Sequence, residues 1–332
     1  FYTEASCHQA LAELGYVGSK GTHLGRRYDI NQPERTLDNY IAGTGFPRPI
    51  QGFNAINYYG FGTNSIYNAF VASLRRRSRG GFFFRVNYTY SKSIDEASQF
   101  TGASAGGFPN ALDSRNLWLD RGRSDFDIGH VFTGVFSWEV PVGRGRRYRL
   151  DGPLDAILGG WQLSGTSRIY TGQPFTVRTA DVQLDQGESL RPNRIANGLV
   201  KADSSLGKKG VDYTWYDLRS FEQVPCVNPD ATASCEASQY GFNPFEFGNS
   251  GRNILDGPGK AVIDLGLRKN FRFKERRSLQ FRFDCFNVLN RTNFLLPDNF
   301  FNTITGGYIT RVGASGREGG PRVFQAGLRY RF

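Results

Sequence analysis

The side chains able to do chemistry are few and scattered. Three histidines, His8, His23 and His130, stand far apart, and none shares a zinc-like spacing with a cysteine. Asp127 and His130 would make an acid–base pair for a hydrolase if a serine stood beside them; as residues entering a strand they would simply be polar and hydrogen-bonded. Glycine pairs such as Gly80-Gly81 and Gly306-Gly307 read as turns, because neither sits between a strand and a helix where a phosphate loop would. No catalytic residue, metal site or cofactor site is expected.

Four cysteines and a basic balance narrow the partners. Cys226 and Cys235 fall in a stretch rich in Pro, Asn, Asp and Ser with no strand pattern, so a surface-loop disulfide is expected, and with it an oxidising compartment. Cys285 alternates with Phe281 and Phe283 and reads as a small hydrophobe, buried or facing lipid, while Cys7 has no evident partner. The formal charge of +11, from 41 Lys+Arg against 30 Asp+Glu, raises the question of nucleic acid. The arginines, however, sit in turns such as Arg75–Arg79 and Arg144–Arg147 or alternate with aromatics along strands. Solvated turns and a polar lumen account for them, and no nucleic-acid partner is expected.

The elements that carry these residues are strands. Aromatics make up 14% of the chain, glycine 41 residues, and methionine is absent, a composition that favours pleated strands and many turns. Mean hydropathy is −0.45, with no uninterrupted apolar run of the roughly 18 residues that a transmembrane helix needs. A barrel strand needs only about 9–11 residues, apolar outward and polar inward, so its average looks soluble.

That alternation is present. Phe324, Ala326, Leu328, Tyr330 and Phe332 share one face, and Gln325, Gly327, Arg329 and Arg331 the other. Ile263, Leu265, Leu267, Phe271 and Phe273 precede the polar turn Lys274–Arg277, and Leu279, Phe281, Phe283 and Cys285 follow it, as in a long antiparallel hairpin. A second hairpin runs from Ser65–Leu74 through a turn at Arg77–Gly81 to Phe82–Ser91, and a third from residues 130–142 through a Gly/Arg stretch to Gly160–Tyr170. Between the hairpins lie loop-like segments, roughly 93–128, 180–258 and 290–320. A compact soluble domain rarely tolerates structureless loops beyond about 12–15 residues, and the strands of a soluble sandwich or propeller are nearer five or six residues. The expected fold is all-β, a transmembrane antiparallel barrel portion of about 10–12 strands with long extracellular loops. Arg85, Asn87, Arg268, Arg282 and Arg329, on polar strand faces, would line the lumen.

Seven stretches then resemble one family. They are Glu13–Leu24, Asn87–Asp95, Ser124–Asp127, Gly160–Leu163, Thr171–Phe175, Phe247–Asn253 and Phe286–Asn290, in family order along the whole chain. The sequence resembles the TonB-dependent receptors of the outer membrane, in the Oar-like branch with a carboxypeptidase-regulatory-like N-terminal domain. That resemblance implies a barrel of about 22 strands around an N-terminal plug. It implies a receptor that imports a siderophore, glycan or peptide, coupled to TonB through the N-terminal part, with no enzymatic step. An adhesion or structural barrel, or a barrel hydrolase, are the alternatives. Residues 1–332 match only the C-terminal part of such a barrel, without plug or TonB box, and Phe1-Tyr2-Thr3-Glu4 does not read as a signal peptide. The expected surroundings are outer-membrane lipid and lipopolysaccharide. The aromatic terminus, Phe324, Leu328, Tyr330 and Phe332, resembles the signal read by the barrel-assembly machinery.

Overall fold

The structure, a computed structural model, describes residues 2–7, 10–42, 46–99, 111–180, 190–196, 214–224, 238–273, 277–313 and 320–332. In chain order the strands are β1 (Tyr2–Cys7), β2 (Ala10–Asp29), β3 (Asn57–Arg79), β4 (Phe82–Asp95), β5 (Gly122–Arg123), β6 (His130–Glu139) and β7 (Trp161–Tyr170). Four two-residue strands follow, β8 (Pro174–Phe175), β9 (Asn193–Arg194), β10 (Phe221–Glu222) and β11 (Leu255–Asp256). The long strands resume with β12 (Lys260–Phe273), β13 (Arg277–Phe286) and β14 (Val323–Arg331). Two short helices, α1 (Leu37–Ile41) and α2 (Pro153–Leu158), lie in connections.

The long strands form one 10-stranded sheet in the order β1-β2-β3-β4-β6-β7-β12-β13-β14, with β5 added beside β4, and every pairing is antiparallel. It is a meander: each long strand pairs with the next long strand in the chain, which is the expected fold. β6 and β7 have 10 residues each, enough to cross the apolar layer of a bilayer, whereas β2 and β3 run to 20 and 23.

The register sorts side chains into two faces because neighbours in a pleated strand point opposite ways. Arg85 stands opposite Arg75 and Val135, Asn87 opposite Ser73 and Thr133, Arg268 opposite Gln162 and Arg282, and Arg329 opposite Gln280. These five named polar residues therefore share one face. Phe84 with Phe136, Leu163 with Leu267, and Phe283 with Ala326 run across the other. The Phe283 and Phe324 rings stack there, 5.7 Å between centroids.

The two ends of the sheet differ. At one end β3 turns into β4 through Gly80 and Gly81, whose φ of 69° and 83° only glycine adopts readily. β12 meets β13 there across residues 274–276, outside the described residues. At the other end lie four long connections, 30–56, 96–129, 171–259 and 287–322. The last strand ends at the short-turn end.

Two expectations on boundaries need correction. The strand expected over Ser65–Leu74 spans all of β3: pairing with β2 carries the glycine- and asparagine-rich start into the sheet, and Arg75 and Arg76, expected in a turn, pair with Leu11 and Ala10. Residues 30–56 form a long connection that periodicity did not mark. One connection at the short end, 140–160, is also longer than a tight turn and contains α2.

Candidate functional site

The long connections carry no strand periodicity, yet their described residues pack into a fixed body. The main sheet supplies its floor. Between Gly21 and Gly25 the β2–β3 register shifts twice, and beyond these bulges Arg26 is 3% exposed. Its Nη1 donates to the Glu96 carbonyl at 2.8 Å, and its Nη2 pairs with the Asp120 carboxylate. Asp120 ends a single 3-10 turn, Leu117–Asp120, and also accepts from the Leu112 amide at 3.0 Å. Arg191 reaches the same carboxylate at 3.2 Å and donates to the Leu119 carbonyl at 3.0 Å. One carboxylate thus holds two buried guanidinium groups.

A second centre joins the end of β4 to the connection before β11. Arg252 pairs with the Asp95 carboxylate and donates to the carbonyls of Asp95 at 2.8 Å and Asp120 at 2.9 Å. Asn253 takes a left-handed conformation, φ 54°, which asparagine tolerates. Its Nδ2 reaches the Arg123 carbonyl at 2.7 Å and Asp125 at 2.6 Å. Asp127, 1% exposed, accepts from the Ser93 amide at 2.7 Å and from Arg123 Nε at 2.8 Å.

Charges withdrawn from water survive only when paired, and each of these has an ion-pair partner, although Arg26 Nε and Arg191 Nε and Nη1 meet no hydrogen-bond acceptor among the described residues. Burial pulls the pKa of Arg191 down, helped by repulsion from Arg252 and Arg26 and opposed by Asp120. Burial also works against the charge on Arg123, but hydrogen bonds to Asp127 and Asp256 outweigh it and leave its pKa raised.

An apolar centre lies beside this network. Phe175, Val177, Tyr216, Phe221 and Leu255 are buried together, with Trp215, Leu218, Ile254, Leu296 and Phe301 against them. The short pairs β8–β11 and β9–β10 hold these residues in place. Burial pushes the Tyr216 hydroxyl well above the usual tyrosine range, and it donates to the Asp298 carbonyl at 3.3 Å. Asn31, fully buried, donates to the carbonyls of Ile50, Phe53 and Asn54 and accepts from the Ile50 amide, which fixes the 30–56 connection. Arg35 ties that connection to the Pro244 carbonyl at 2.8 Å.

The residues singled out in the sequence fall in several places. Asp127 and His130 do not combine: Asp127 is taken by Arg123 and Ser93, and His130 Nδ1 lies 2.7 Å from the Tyr88 hydroxyl. Arg85, Asn87, Arg268, Arg282 and Arg329 stay on the wall. There Arg85 donates to Asn87 at 3.4 Å, Asn87 to Thr133 at 3.3 Å, and Arg282 pairs with Asp284 at 2.5 Å. Phe324, Leu328 and Tyr330 lie exposed on the edge strand β14. Cys285 is buried and free, whereas Cys226 and Cys235 lie outside the described residues. The family-like stretches Asn87–Asp95, Ser124–Asp127 and Phe247–Asn253 meet in the network. Three further members, Arg26, Asp120 and Arg191, carry no local signal.

The packed loops present aromatic and apolar side chains to solvent: Trp118, Phe126, Tyr240 and Ile304 are all more than half exposed, with Arg121 stacked 4.9 Å from the Trp118 ring. Such a surface can bind by stacking and apolar contact. Among the described residues no three His, Cys, Asp or Glu side chains are grouped to hold a metal ion.

Comparison with known proteins adds to this geometry. The profile of the outer membrane beta barrel domain matches residues 6–325. A search of curated proteins finds no match. Among solved structures, the outer membrane transporter YddB from Escherichia coli aligns with a TM-score of 0.47 at 10% identity, over 99% of this chain and 31% of that one. The chain therefore spans less than a third of that transporter. With a meander sheet apolar on one face and polar on the other, and a profile match across nearly all of its length, the chain belongs to the outer membrane beta barrel domain family.

Proposed function

We propose that this chain is the C-terminal part of the wall of a TonB-dependent receptor, Oar-like in kind, that binds a siderophore, glycan or peptide at its loop end and imports it. The observation that supports this most is the construction of that end. The described residues of four long connections are locked together, 96–129 and 171–259 by buried ion pairs and 30–56 and 287–322 by hydrogen bonds and apolar packing against them, and locking loops in advance lowers the ordering cost of binding. In barrels of this class long loops face outward and short turns face the periplasm.

In this reading further strands complete the wall. β1 and β14 are edges of the sheet, and an unpaired edge in lipid leaves backbone donors and acceptors unsatisfied at several kcal/mol each. Arg85, Asn87, Arg268, Arg282 and Arg329 then face a plug and the ligand path, and TonB acts through that plug. The apolar face meets lipid and lipopolysaccharide, and Phe324, Leu328, Tyr330 and Phe332 are read by the barrel-assembly machinery. No step of this cycle requires covalent chemistry.

The test is cross-linking of the complete gene product to TonB in cells, together with its dependence on added ligand mixtures. Ligand-dependent cross-links support import. A product with no TonB contact that instead holds cells to peptide or polysaccharide surfaces would establish an adhesion barrel, the reading favoured by exposed Trp118, Phe126 and Ile304.

A further inference from the structure

The apolar surface of the wall does not stop where its strands stop. Between β6 and β7, at the short-turn end, residues 140–160 form two joined parts. The first is a tight basic loop closed by a parallel bridge between Val142 and Tyr148: the Gly143 amide donates to the Tyr148 carbonyl and the Tyr148 amide to the Pro141 carbonyl, both at 2.9 Å. Its Arg146 pairs with Glu139 at 2.7 Å and Arg149 with Asp151 at 3.1 Å, whereas Arg144 and Arg147 form no ion pair among the described residues. The second part is α2, opened by Gly152 at φ 70° and Pro153 in its first turn. Asp155 accepts from the Arg144 amide at 2.8 Å and so joins the two parts.

α2 shows its apolar side chains outward: Leu154, Ile157 and Leu158 are 58%, 64% and 49% exposed. The helix is nevertheless fixed. Trp161 Nε1 donates to the Ile157 carbonyl at 2.9 Å, and Lys269 Nζ donates to the Gly159 carbonyl. Trp161 and Lys269 are opposite each other in register, in the rows that carry Leu163, Leu265 and Leu267. The amine lies 5.4 Å from the Trp161 ring and 5.0 Å from Phe271. Both tethers therefore stand on the apolar, outward face of the wall.

We propose that residues 140–160 are an interfacial anchor, with Leu154, Ile157 and Leu158 in the lipid at the headgroup boundary of the periplasmic leaflet and Arg144 and Arg147 on phosphates of anionic glycerophospholipid. Two features commit it to lipid. The exposed apolar patch continues a face that already meets the bilayer, and its neighbouring charges outside ion pairs among the described residues, Arg144 and Arg147 against Asp155, are net positive, complementary to an anionic leaflet. The proposal rests on the outer-membrane placement of the family and not on import.

The experiment places photoreactive benzoylphenylalanine at position 157 of the complete gene product, with position 265 as a wall control, and identifies adducts in the outer-membrane fraction by mass spectrometry. Phospholipid adducts at 157 as at 265, with phosphatidylglycerol enriched, are expected. Arg144→Ser and Arg147→Ser should each lower that enrichment roughly fivefold while leaving the 265 adduct unchanged. A protein adduct at 157, or lipid adducts at 265 alone, would overturn the anchor, and either result leaves the import reading untouched.

Discussion

The wall and the loop end of this molecule keep their polar groups satisfied in opposite ways. In the wall, hydrogen bonding is between backbones, side chains sort by alternation, and the apolar face is left open: Phe324, Leu328 and Tyr330 are each at least half exposed. At the loop end there is little regular backbone pairing, and buried side chains take its place. Most of the buried apolar residues, Leu112, Phe175, Val177, Tyr216, Phe221 and Leu255 among them, belong to the loops, as do Asp120, Asp125, Arg191 and Asn253. The wall relies on a solvent that is itself apolar; the loops, which stand in water, must carry their own core. Substitution should therefore be costly at opposite kinds of residue in the two regions.

The largest effect is expected from Asp120→Ala. It leaves Arg26 and Arg191 buried without their carboxylate, a loss of about 3–5 kcal/mol. Trypsin applied to whole cells should then cut the loops while the wall stays resistant to heat and detergent; equal loss of both would mean that the two regions are not separate.

Next is the wall's own weak point. Phe283→Arg, on the apolar face, should cost about 2–4 kcal/mol in lipid. Urea titration of refolding into vesicles measures it, and a loss below about 1 kcal/mol would show that this face does not meet lipid.

How much of this was legible in sequence follows the same division. The wall was, because alternation is local: Phe281, Phe283 and Cys285 declare their face within five residues. The starts of β3 and the 30–56 connection were not, since Gly60 and Gly62 break the pattern and only pairing with β2 restores it. The loop network was hidden because its partners are distant, 94 residues apart for Arg26 and Asp120 and 157 for Arg252 and Asp95. Aspartates and arginines in a glycine-rich segment look alike whether solvated or locked.

A smaller effect on stability, but a clear one on rate, is expected at the terminus. Phe332 is 95% exposed, so its removal takes away little packing. If the terminal aromatics are read by the assembly machinery, its deletion and Tyr330→Ser should both slow insertion and leave protein in the periplasm. Pulse-chase fractionation decides this, and normal insertion with slightly lower melting would reduce the terminus to an ordinary strand. Smallest of all is Arg329→Ser on the polar face, expected within about 0.5 kcal/mol by the same refolding titration. A large loss there would show that this face carries packing of its own.

The most direct test of the account concerns which end faces outward. With Cys7, Cys226, Cys235 and Cys285 replaced by serine in the complete gene product, Ile304→Cys, 98% exposed at the loop end, and Arg147→Cys at the short-turn end are labelled with a membrane-impermeant maleimide. The account predicts labelling at position 304 on intact cells and at position 147 only after the outer membrane is permeabilised. Labelling at 147 on intact cells, with 304 protected, would contradict it.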